Sequence, residues 1–357
     1  MVAFLFISGL VFLIVGAEIL VRGASRIAGA LGISPLIIGL TVVAFGTSAP
    51  ELAVSVKAVL TGQSGIALGN VIGSNIFNVL LILGISALIA PLVVSVQLVR
   101  LDVPLMIIIS VAVLFMAMDG NLGRIDGLLL FCGFIGYTIF LVYQSRKERV
   151  STEDVRSNPA NGQSPQRQWL LNITMVLGGL LLLIFGSRWL VESAVIIATR
   201  LGISELIIGL TIIAAGTSLP EVVTSIIASI RGERDIAVGN VVGSNLFNIM
   251  VVLGLSSVVS PNGIAISDAV FRFDIPVMIA VAFVCFPIFF TDGQISRWEG
   301  MLLLGYYIAY TLYLVLAATQ HDALPIFSSA MLFFVLPLTA ITLSIILFRA
   351  IKHRATL

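Results

Sequence analysis

The chain contains little charge, few cysteines and few histidines. Of its 357 residues, 10% are Asp, Glu, Lys or Arg, whereas roughly a quarter of the residues in a soluble domain are charged. With a net charge of +1, the chain has no basic surface of the kind that binds nucleic acid. The two cysteines lie far apart in apolar runs and the two histidines lie near the C-terminus, which excludes a disulfide framework and a zinc-site spacing.

Apolar sequence makes up most of the chain instead. Hydrophobic residues account for 59% and the mean hydropathy is +1.14, which predicts an all-α polytopic membrane protein. Because a helix needs roughly 20 apolar residues to cross the bilayer core, we predict eleven spans, at residues 3–26, 34–60, 65–90, 101–118, 125–144, 168–199, 204–230, 235–258, 272–291, 298–318 and 327–349. No basic stretch precedes the first span, so we expect it to be retained rather than cleaved as a signal peptide.

An internal repeat organises these spans. Residues 31–84 return at 201–254 with a constant offset of 170, and 67–78 match 237–248 at nine of twelve positions. The shared residues are mostly Gly, Ser, Thr, Asn, Pro and Glu, whereas packing alone would preserve apolar positions. We therefore predict four parts: a five-helix repeat at 1–144, a polar linker at 145–167, a second five-helix repeat at 168–320, and an extra transmembrane helix with a basic tail at 321–357.

The odd number of spans in each repeat predicts an inverted repeat, because the second copy must enter the membrane from the opposite side. The basic residues indicate the orientation. If the N-terminus lies outside, 14 of the 19 Lys and Arg residues fall on inner flanks, as the positive-inside rule requires. We expect an external N-terminus, a cytoplasmic linker and, if the eleventh helix inserts, a cytoplasmic C-terminus.

The first repeated motif is Gly-Thr-Ser-x-Pro-Glu, at residues 46–51 and 216–221. Each proline lacks an N–H, so the carbonyl four residues earlier loses its helical partner and the preceding turn opens. Broken helices in corresponding halves of a membrane protein are typical of transport sites. Helical spacing places the polar side chains of each copy on or next to one stripe: Thr47, Ser48, Glu51 and Ser55, and Thr217, Ser218, Glu221 and Ser225.

The second repeated motif is Gly-Asn-Val-x-Gly-Ser-Asn-x-Phe-Asn, at residues 69–78 and 239–248. Its serine and its last asparagine lie one turn apart and share a helix face; these are Ser74 and Asn78, and Ser244 and Asn248. Glycines four residues apart allow a neighbouring helix to approach closely, so we expect this face to meet the glutamate helices. The other asparagines point away from it, and their role stays open between interhelical hydrogen bonds and the site: Asn70, Asn75, Asn240 and Asn245.

Four such helices, two from each repeat, would enclose one site lined by carboxylate, hydroxyl, amide and backbone carbonyl oxygens. Those ligands suit hard cations such as Ca²⁺. An ionised carboxylate at the bilayer centre costs at least about 2.5 kcal/mol, and the repeated blocks hold no Lys or Arg at that depth. One Ca²⁺ or several Na⁺ would neutralise Glu51 and Glu221, and competition for the same oxygens would couple the two ions. The alternative is that both glutamates are structural carboxylates that accept hydrogen bonds from nearby hydroxyls.

The other charged residues of the spans have simpler explanations. Glu18 and Arg22 correspond to Arg188 and Glu192, so the acid and the base have exchanged places at a spacing that allows a local salt bridge. Six aspartates fall at span ends and are interpreted as interfacial: Asp102, Asp119, Asp126, Asp268, Asp274 and Asp292.

Together, the two duplicated motifs resemble the alpha repeats of the sodium/calcium exchanger family, within the calcium/cation antiporter superfamily. The likeness covers about residues 1–318. It implies two inverted five-helix repeats around a central site that holds Ca²⁺ or several Na⁺ in alternation, with the first and sixth helices sliding to open the site to either side. It further implies ligands at Glu51, Glu221, Thr47, Ser48, Thr217, Ser218, Ser74, Asn78, Ser244 and Asn248, and at the backbone carbonyls of Ala44 and Ala214.

Two departures from the family pattern narrow this expectation. Some prokaryotic relatives carry Asp where this chain has Asn248, so the site lacks a third titratable acid, which favours Na⁺ over H⁺ as the coupling ion. The short linker holds no Ca²⁺-sensing domain, and the helix at 327–349 exceeds the ten-helix core. This compact form is similar to bacterial inner-membrane members, so we expect a multi-pass protein of the cell's inner (plasma) membrane.

The sequence thus predicts a secondary antiporter, not an enzyme, which exchanges Ca²⁺ for Na⁺ by alternating access. We expect no cofactor besides the transported Ca²⁺ and Na⁺. The expected partners are these ions and the lipid bilayer, and nucleic acid is not among them. A Ca²⁺(cation)/H⁺ antiporter of the same superfamily is the alternative. A cation channel would need an open path, and an intramembrane hydrolase would need paired aspartates or a Ser/His constellation at mid-membrane, which the sequence lacks.

Overall fold

The computed structural model describes residues 2–151, 165–203, 208, 211–212, 214–291 and 293–355. In that part of the chain, nine helices are long and apolar enough to span a membrane, and a bent pair of helices adds a tenth. The predicted linker lies largely outside the described residues, as do Asp292 and much of the start of the seventh predicted span. The all-α, polytopic class is confirmed, while the predicted division into four parts stays a prediction.

The helices follow the predicted spans closely. They are α1 (Val2–Leu31), α2 in two segments (Pro35–Thr47 and Ala49–Leu60), α3 (Ser64–Ile89), α4 (Leu98–Asp119), α5 (Arg124–Ser151), α6 (Pro165–Arg200), α7 (Leu219–Ile230), α8 (Arg234–Val259), α9 (Val270–Thr291), α10 (Arg297–Ala318) and α11 (Leu324–Ile346). A short turn, Ala214–Gly216, precedes α7.

The outer surface of the bundle is apolar. Phe4 on α1, Ile125 on α5 and Phe333 on α11 are 71%, 74% and 77% exposed. Aqueous solvent would oppose so much exposed hydrocarbon, whereas a lipid bilayer matches it. The chain is therefore a multi-pass integral membrane protein.

Glycines bring α1 and α6 into close contact. A Cβ atom added to Gly9 would lie 2.8 Å from the carbonyl oxygen of Gly186, and one added to Gly16 would lie 2.9 Å from that of Gly179. The contacts move down α6 as they move up α1, so the two helices run antiparallel. Since α1 and α6 hold equivalent places at the offset of 170, this is the arrangement that an inverted repeat requires.

Two short strand pairs join the loops of opposite halves. Strand β1 (Leu92–Val93) pairs antiparallel with β4 (Gln294–Ile295), and β2 (Asn121–Leu122) pairs antiparallel with β3 (Ile264–Ala265). Because β1 and β2 flank α4, the pairs lie at opposite ends of that helix. Main-chain hydrogen bonds therefore tie the halves together at both ends of the bundle.

Helix α8 lies at the centre of the molecule and α11 lies at its edge. Every residue in the apolar stretch of α8 is buried inside the protein, whereas only 6% of the apolar stretch of α11 is buried. A groove of about 600 Å³ separates part of α11 from α9 and α10. The Tyr306 hydroxyl of α10 donates a hydrogen bond to Thr339 of α11 at 2.6 Å and fixes the extra helix to the core.

Candidate ion-binding site

Both Pro-Glu motifs interrupt their helices. The two segments of α2 meet at Ser48, where φ is −87° and ψ is 7°, and they are bent by 45°. Ser218 adopts nearly the same conformation, with φ −88° and ψ 6°, just before α7 begins. The prolines follow at the second residue of each new helical segment, where a missing N–H costs nothing. The predicted opening of the turn before each proline is confirmed.

The two glutamates lie inside the protein and face the opposite motif. Glu51 and Glu221 are both 0% exposed. The Ser48 hydroxyl donates to Glu221 Oε1 at 2.7 Å, and the Ser218 hydroxyl donates to Glu51 Oε1 at 2.9 Å. The broken helices of the two halves therefore meet at one place, and each half supplies a hydroxyl to the acid of the other.

Asn70 and Asn240 connect the two kinds of motif. The side-chain carbonyl of each accepts a hydrogen bond from the motif threonine of the opposite half, 3.3 Å from Thr217 and 3.1 Å from Thr47. The side-chain amide of each donates to the backbone carbonyl of the glutamate in its own half. It also donates to the hydroxyl of the serine four residues beyond that glutamate, which is Ser55 or Ser225. Helical geometry predicted that these asparagines point away from the site. Their presence in both repeats was the one sequence feature that could have indicated a place in it.

The Ser/Asn faces of α3 and α8 line the same region, with unequal contacts. The Ser74 hydroxyl oxygen lies 3.1 Å from Ser218 Oγ, and the Asn78 amide donates to the side-chain carbonyl of Asn245 at 3.0 Å. In α8, the equivalent Ser244 and Asn248 are 0% exposed, and their side-chain polar atoms have no hydrogen-bond partner among the described residues.

A π-helical turn begins at each of these asparagines, at Asn78–Leu83 in α3 and at Asn248–Leu253 in α8. Such a turn shifts the helix register and leaves backbone groups free to bond elsewhere. The described residues form further π turns away from these asparagines, at Gly39–Val43, Leu98–Asp102, Val270–Asp274 and Met331–Val335. The predicted close approach through the motif glycines is present in α8, but the prediction is wrong for α3, where a Cβ atom added to Gly69 or Gly73 would meet nothing within 4 Å. A Cβ atom on Gly243 would lie 2.6 Å from the carbonyl oxygen of Leu40.

The backbone carbonyls near the two helix breaks accept hydrogen bonds from different donors. The Ala44 carbonyl accepts hydrogen bonds from the Ser48 N–H at 3.0 Å and from the Thr47 hydroxyl at 3.4 Å. The equivalent Ala214 is the first residue of the short turn before α7. The Gly216 carbonyl accepts a hydrogen bond of 2.6 Å from the Ser187 hydroxyl of α6.

Several buried oxygens at this place have no hydrogen-bond partner among the described residues. They are Glu51 Oε2, Glu221 Oε2, Asn78 Oδ1, Ser244 Oγ and Asn248 Oδ1. In the same part of the chain, no Lys or Arg side chain forms an ion pair with either glutamate. The described residues also contain no cluster of three or more His, Cys, Asp and Glu side chains, the arrangement that would hold a transition metal.

The remaining charged residues test the simpler predictions. Arg22 contacts Glu18, and Arg188 contacts Glu192 at 2.9 Å, so both local salt bridges are confirmed. Glu18 also binds Arg231, at the end of α7.

Asp102 lies at a predicted span end but is buried inside the protein, with its side chain 0% exposed; its interfacial depth stays a prediction. Its carboxylate accepts hydrogen bonds from the Tyr137 hydroxyl at 2.8 Å and from the Gln97 amide at 3.2 Å. These donors come from α5 and from the residues just before α4, so helix packing buries a residue that span counting places at a membrane surface.

Comparison with known proteins places this geometry among ion exchangers. Residues 1–143 and 171–316 match the family model described as sodium/calcium exchanger protein. The chain is 34% identical over 334 residues to the sodium/calcium exchanger MaX1 of Methanosarcina acetivorans, with 85% of this chain and 95% of the relative covered. It is 39% identical over 316 residues to the inner membrane protein YrbG of Escherichia coli, with 86% and 94% covered.

Solved structures agree with the sequence comparison. The sodium-calcium exchanger NCX_Mj, soaked with 10 mM Na⁺, superposes with a TM-score of 0.74 at 30% identity. The match covers 86% of this chain and 98% of that one. The fold is therefore shared with an exchanger over nearly its full length.

Proposed function

Because the chain belongs to the sodium/calcium exchanger protein family, we propose that it is a secondary antiporter that exchanges Ca²⁺ for Na⁺ across the membrane. The exchange would take place at the centre of the bundle, where the two Pro-Glu motifs meet. The chain is a transporter rather than an enzyme, and the transported ions are its substrates.

The proposed ligands are the oxygens that the two halves bring together. The side chains are Glu51, Glu221, Thr47, Ser48, Thr217, Ser218, Ser74, Asn78, Ser244 and Asn248. The backbone carbonyls of Ala44 and Ala214 complete the set. In the described conformation the Ala44 carbonyl already accepts two hydrogen bonds, so its use as a ligand requires the turn at Ser48 to rearrange.

The observation that carries the proposal is the group of buried oxygens without partners. A buried polar atom without a hydrogen bond costs about 1–3 kcal/mol, and five such oxygens from both halves lie in the motifs. A hard cation takes several oxygen ligands at once, and for Ca²⁺ the number is about 6–8. A bound cation would therefore satisfy the oxygens that the protein itself leaves unpaired.

Charge explains why two different ions would compete. Glu51 and Glu221 carry at most two negative charges, and no cationic side chain of the described residues is paired with them. One Ca²⁺ balances two carboxylates, and so do Na⁺ ions in greater number. Occupancy by one ion species therefore excludes the other, which is the condition for exchange.

Access to the site would alternate through movement of α1 and α6. Both glutamates are fully enclosed, so some helices must move before an ion can enter. Helix α6 lies directly against both breaks: a Cβ atom on Gly46 would meet the side chain of Leu180, and one on Gly216 would meet that of Val191. A shift of α6, together with its glycine-packed partner α1, would uncover the motifs.

The proposed location is the plasma membrane, with the N-terminus outside. The similarity to an inner membrane protein supports the location. The excess of Lys and Arg on the inner flanks supports the orientation.

Flux measurements on the full chain in proteoliposomes test the proposal. Na⁺, K⁺ and H⁺ gradients are imposed one at a time, and uptake of ⁴⁵Ca²⁺ is followed. We expect uptake only when Na⁺ is released from the vesicles, and none in the double variant Glu51→Gln, Glu221→Gln. Uptake that follows the pH gradient and ignores Na⁺ would favour a Ca²⁺/H⁺ antiporter, and Ca²⁺ flux without any counter-ion would indicate a channel.

A further inference from the structure

Ser187 makes a polar contact that neither repeated motif includes. It lies in the middle of α6, is 7% exposed, and donates its hydroxyl hydrogen to the Gly216 carbonyl at 2.6 Å. The Gly216 carbonyl stands four residues before Pro220. Because proline has no N–H, this carbonyl is the one that loses its helical partner at the break. The Ser187 hydroxyl therefore replaces the hydrogen bond that Pro220 removes.

Among the described residues, the first half shows no equivalent of this contact. At the offset of 170, Ser187 corresponds to Ala17 of α1, and Gly216 corresponds to Gly46. Alanine has no hydroxyl to donate. Around Gly46, the nearest part of α6 is the apolar side chain of Leu180. The broken turn thus has both a hydrogen bond and apolar contact from α6 in the second half, and apolar contact alone in the first.

The contact reaches the ion site through the backbone of two residues. Gly216 is followed directly by Thr217 and Ser218. The Ser218 hydroxyl donates to Glu51 and lies next to Ser74, and the Thr217 hydroxyl donates to Asn70. Any rotation of the Gly216 peptide therefore moves two hydroxyls that the proposed site uses.

From this geometry we infer that Ser187 is a positioning residue for ion transport, which orients the Gly216 carbonyl and so connects α6 to the second-half motif. The inference rests on the proposed function, because it assumes that Thr217 and Ser218 bind the ion. It also makes the two halves of the site mechanically unequal. Movement of α6 acts on the second-half motif through a directional hydrogen bond, and on the first-half motif through packing.

The decisive variant is Ser187→Ala, with Ser193→Ala as its matched control. Ser193 lies in the same helix, is 1% exposed, and its hydroxyl has no partner among the described residues. Both substitutions remove one buried oxygen from α6, and only the first removes a contact with the motif. In ⁴⁵Ca²⁺ exchange, we expect Ser187→Ala to raise the half-saturating Ca²⁺ concentration about five-fold. The maximal rate per folded protein should change much less, and Ser193→Ala should match the wild type.

A second measurement does not depend on transport. Hydrogen–deuterium exchange of the peptide around 214–222 should become faster in Ser187→Ala than in Ser193→Ala, because the turn loses its link to α6. Equal exchange in both variants, or a loss of maximal rate with an unchanged Ca²⁺ dependence, would overturn the inference. If the turn loosens but the wild type shows no Na⁺-driven Ca²⁺ flux, the contact stands and the proposed function fails.

Discussion

The two halves of the molecule share their motifs, yet the second half surrounds the site differently from the first. In α3, the Asn78 amide is bonded and Ser74 lies against Ser218. In α8, Asn248 and Ser244 have no partner among the described residues. Duplicated sequence therefore does not produce duplicated environments. The shared residues fix which chemical groups reach the centre, and the residues that differ decide which of those groups remain available.

We expect the largest effect from substitution of the two glutamates, which tests whether the two halves contribute equally to the site. Glu51→Gln and Glu221→Gln each keep an oxygen that accepts the opposite serine's hydrogen bond, but each removes a buried charge. Loss of one member of a buried charge arrangement costs about 3–5 kcal/mol, so Ca²⁺ exchange should fall about 100-fold or more in either variant. Initial rates of ⁴⁵Ca²⁺ exchange provide the measurement. Glu192→Gln, on the exposed side of α6, is the control, and a ten-fold gap between the two site variants would contradict equivalence.

The cross-half hydroxyls should have the next largest effect, with a difference between the halves. Ser48→Ala and Ser218→Ala each remove a hydrogen bond to the glutamate of the other half. Such bonds to charged groups contribute about 1.5–3 kcal/mol, so the apparent Ca²⁺ affinity should fall about ten-fold or more. Because Ser218 also contacts Ser74, its loss should be the greater one. Ser229→Ala, whose hydroxyl bonds only to its own helix in the described structure, should leave the affinity unchanged.

A pair of aspartate substitutions separates α3 from α8. Asn78→Asp removes the amide that donates a hydrogen bond to Asn245 Oδ1, and it places a carboxylate oxygen against that carbonyl oxygen. The free energy of unfolding should therefore fall by about 1 kcal/mol. Asn248→Asp removes no such bond and adds a third acid. Because both variants add a third buried acid, Asn248→Asp should unfold at a lower temperature than the wild type but at a higher one than Asn78→Asp, and its exchange rate should gain a dependence on pH. If both variants unfold at the same temperature, the hydrogen bond that Asn78 makes and Asn248 lacks does not contribute to stability.

The smallest effect concerns the salt bridges of α1 and α6. Glu18 binds both Arg22 and Arg231, whereas Glu192 binds Arg188 alone in the described structure. Partly exposed ion pairs contribute about 0–1 kcal/mol, so Glu18→Gln should lower the melting temperature slightly and Glu192→Gln still less. High salt should reduce the difference between the variants. A large, salt-independent loss would show that Glu18 does more than join α1 to α7.

Much of the fold follows from local sequence. Apolar runs predict the helices, and each proline predicts the break that the structure shows at Ser48 and Ser218. The contacts between halves do not follow in the same way. Ser48 and Glu221 are 173 residues apart, and their pairing depends on how whole helices cross. The contact of Ser187 could not be predicted from the sequence either, because Ser187 belongs to neither motif and the equivalent residue of the first half is Ala17.

The π-helical turns and the burial of Asp102 escaped prediction for a related reason. A π turn has no distinctive composition, since it inserts one residue into an ordinary helix. Asp102 stands at a predicted span end, but Tyr137 and Gln97 enclose it. Hydropathy places a residue along the membrane normal and carries no information on which neighbouring helix covers it.

The reciprocal bonds between serine and glutamate also bear on how the protein is made. Glu51 enters the membrane early, but its hydroxyl donor, Ser218, lies 167 residues later in the chain. At synthesis rates of about 5–20 residues per second, that interval lasts about 10–30 s. During it, the nascent first half holds a carboxylate whose partner has not yet been translated. Biogenesis of the site therefore ends only when the second half emerges and inserts.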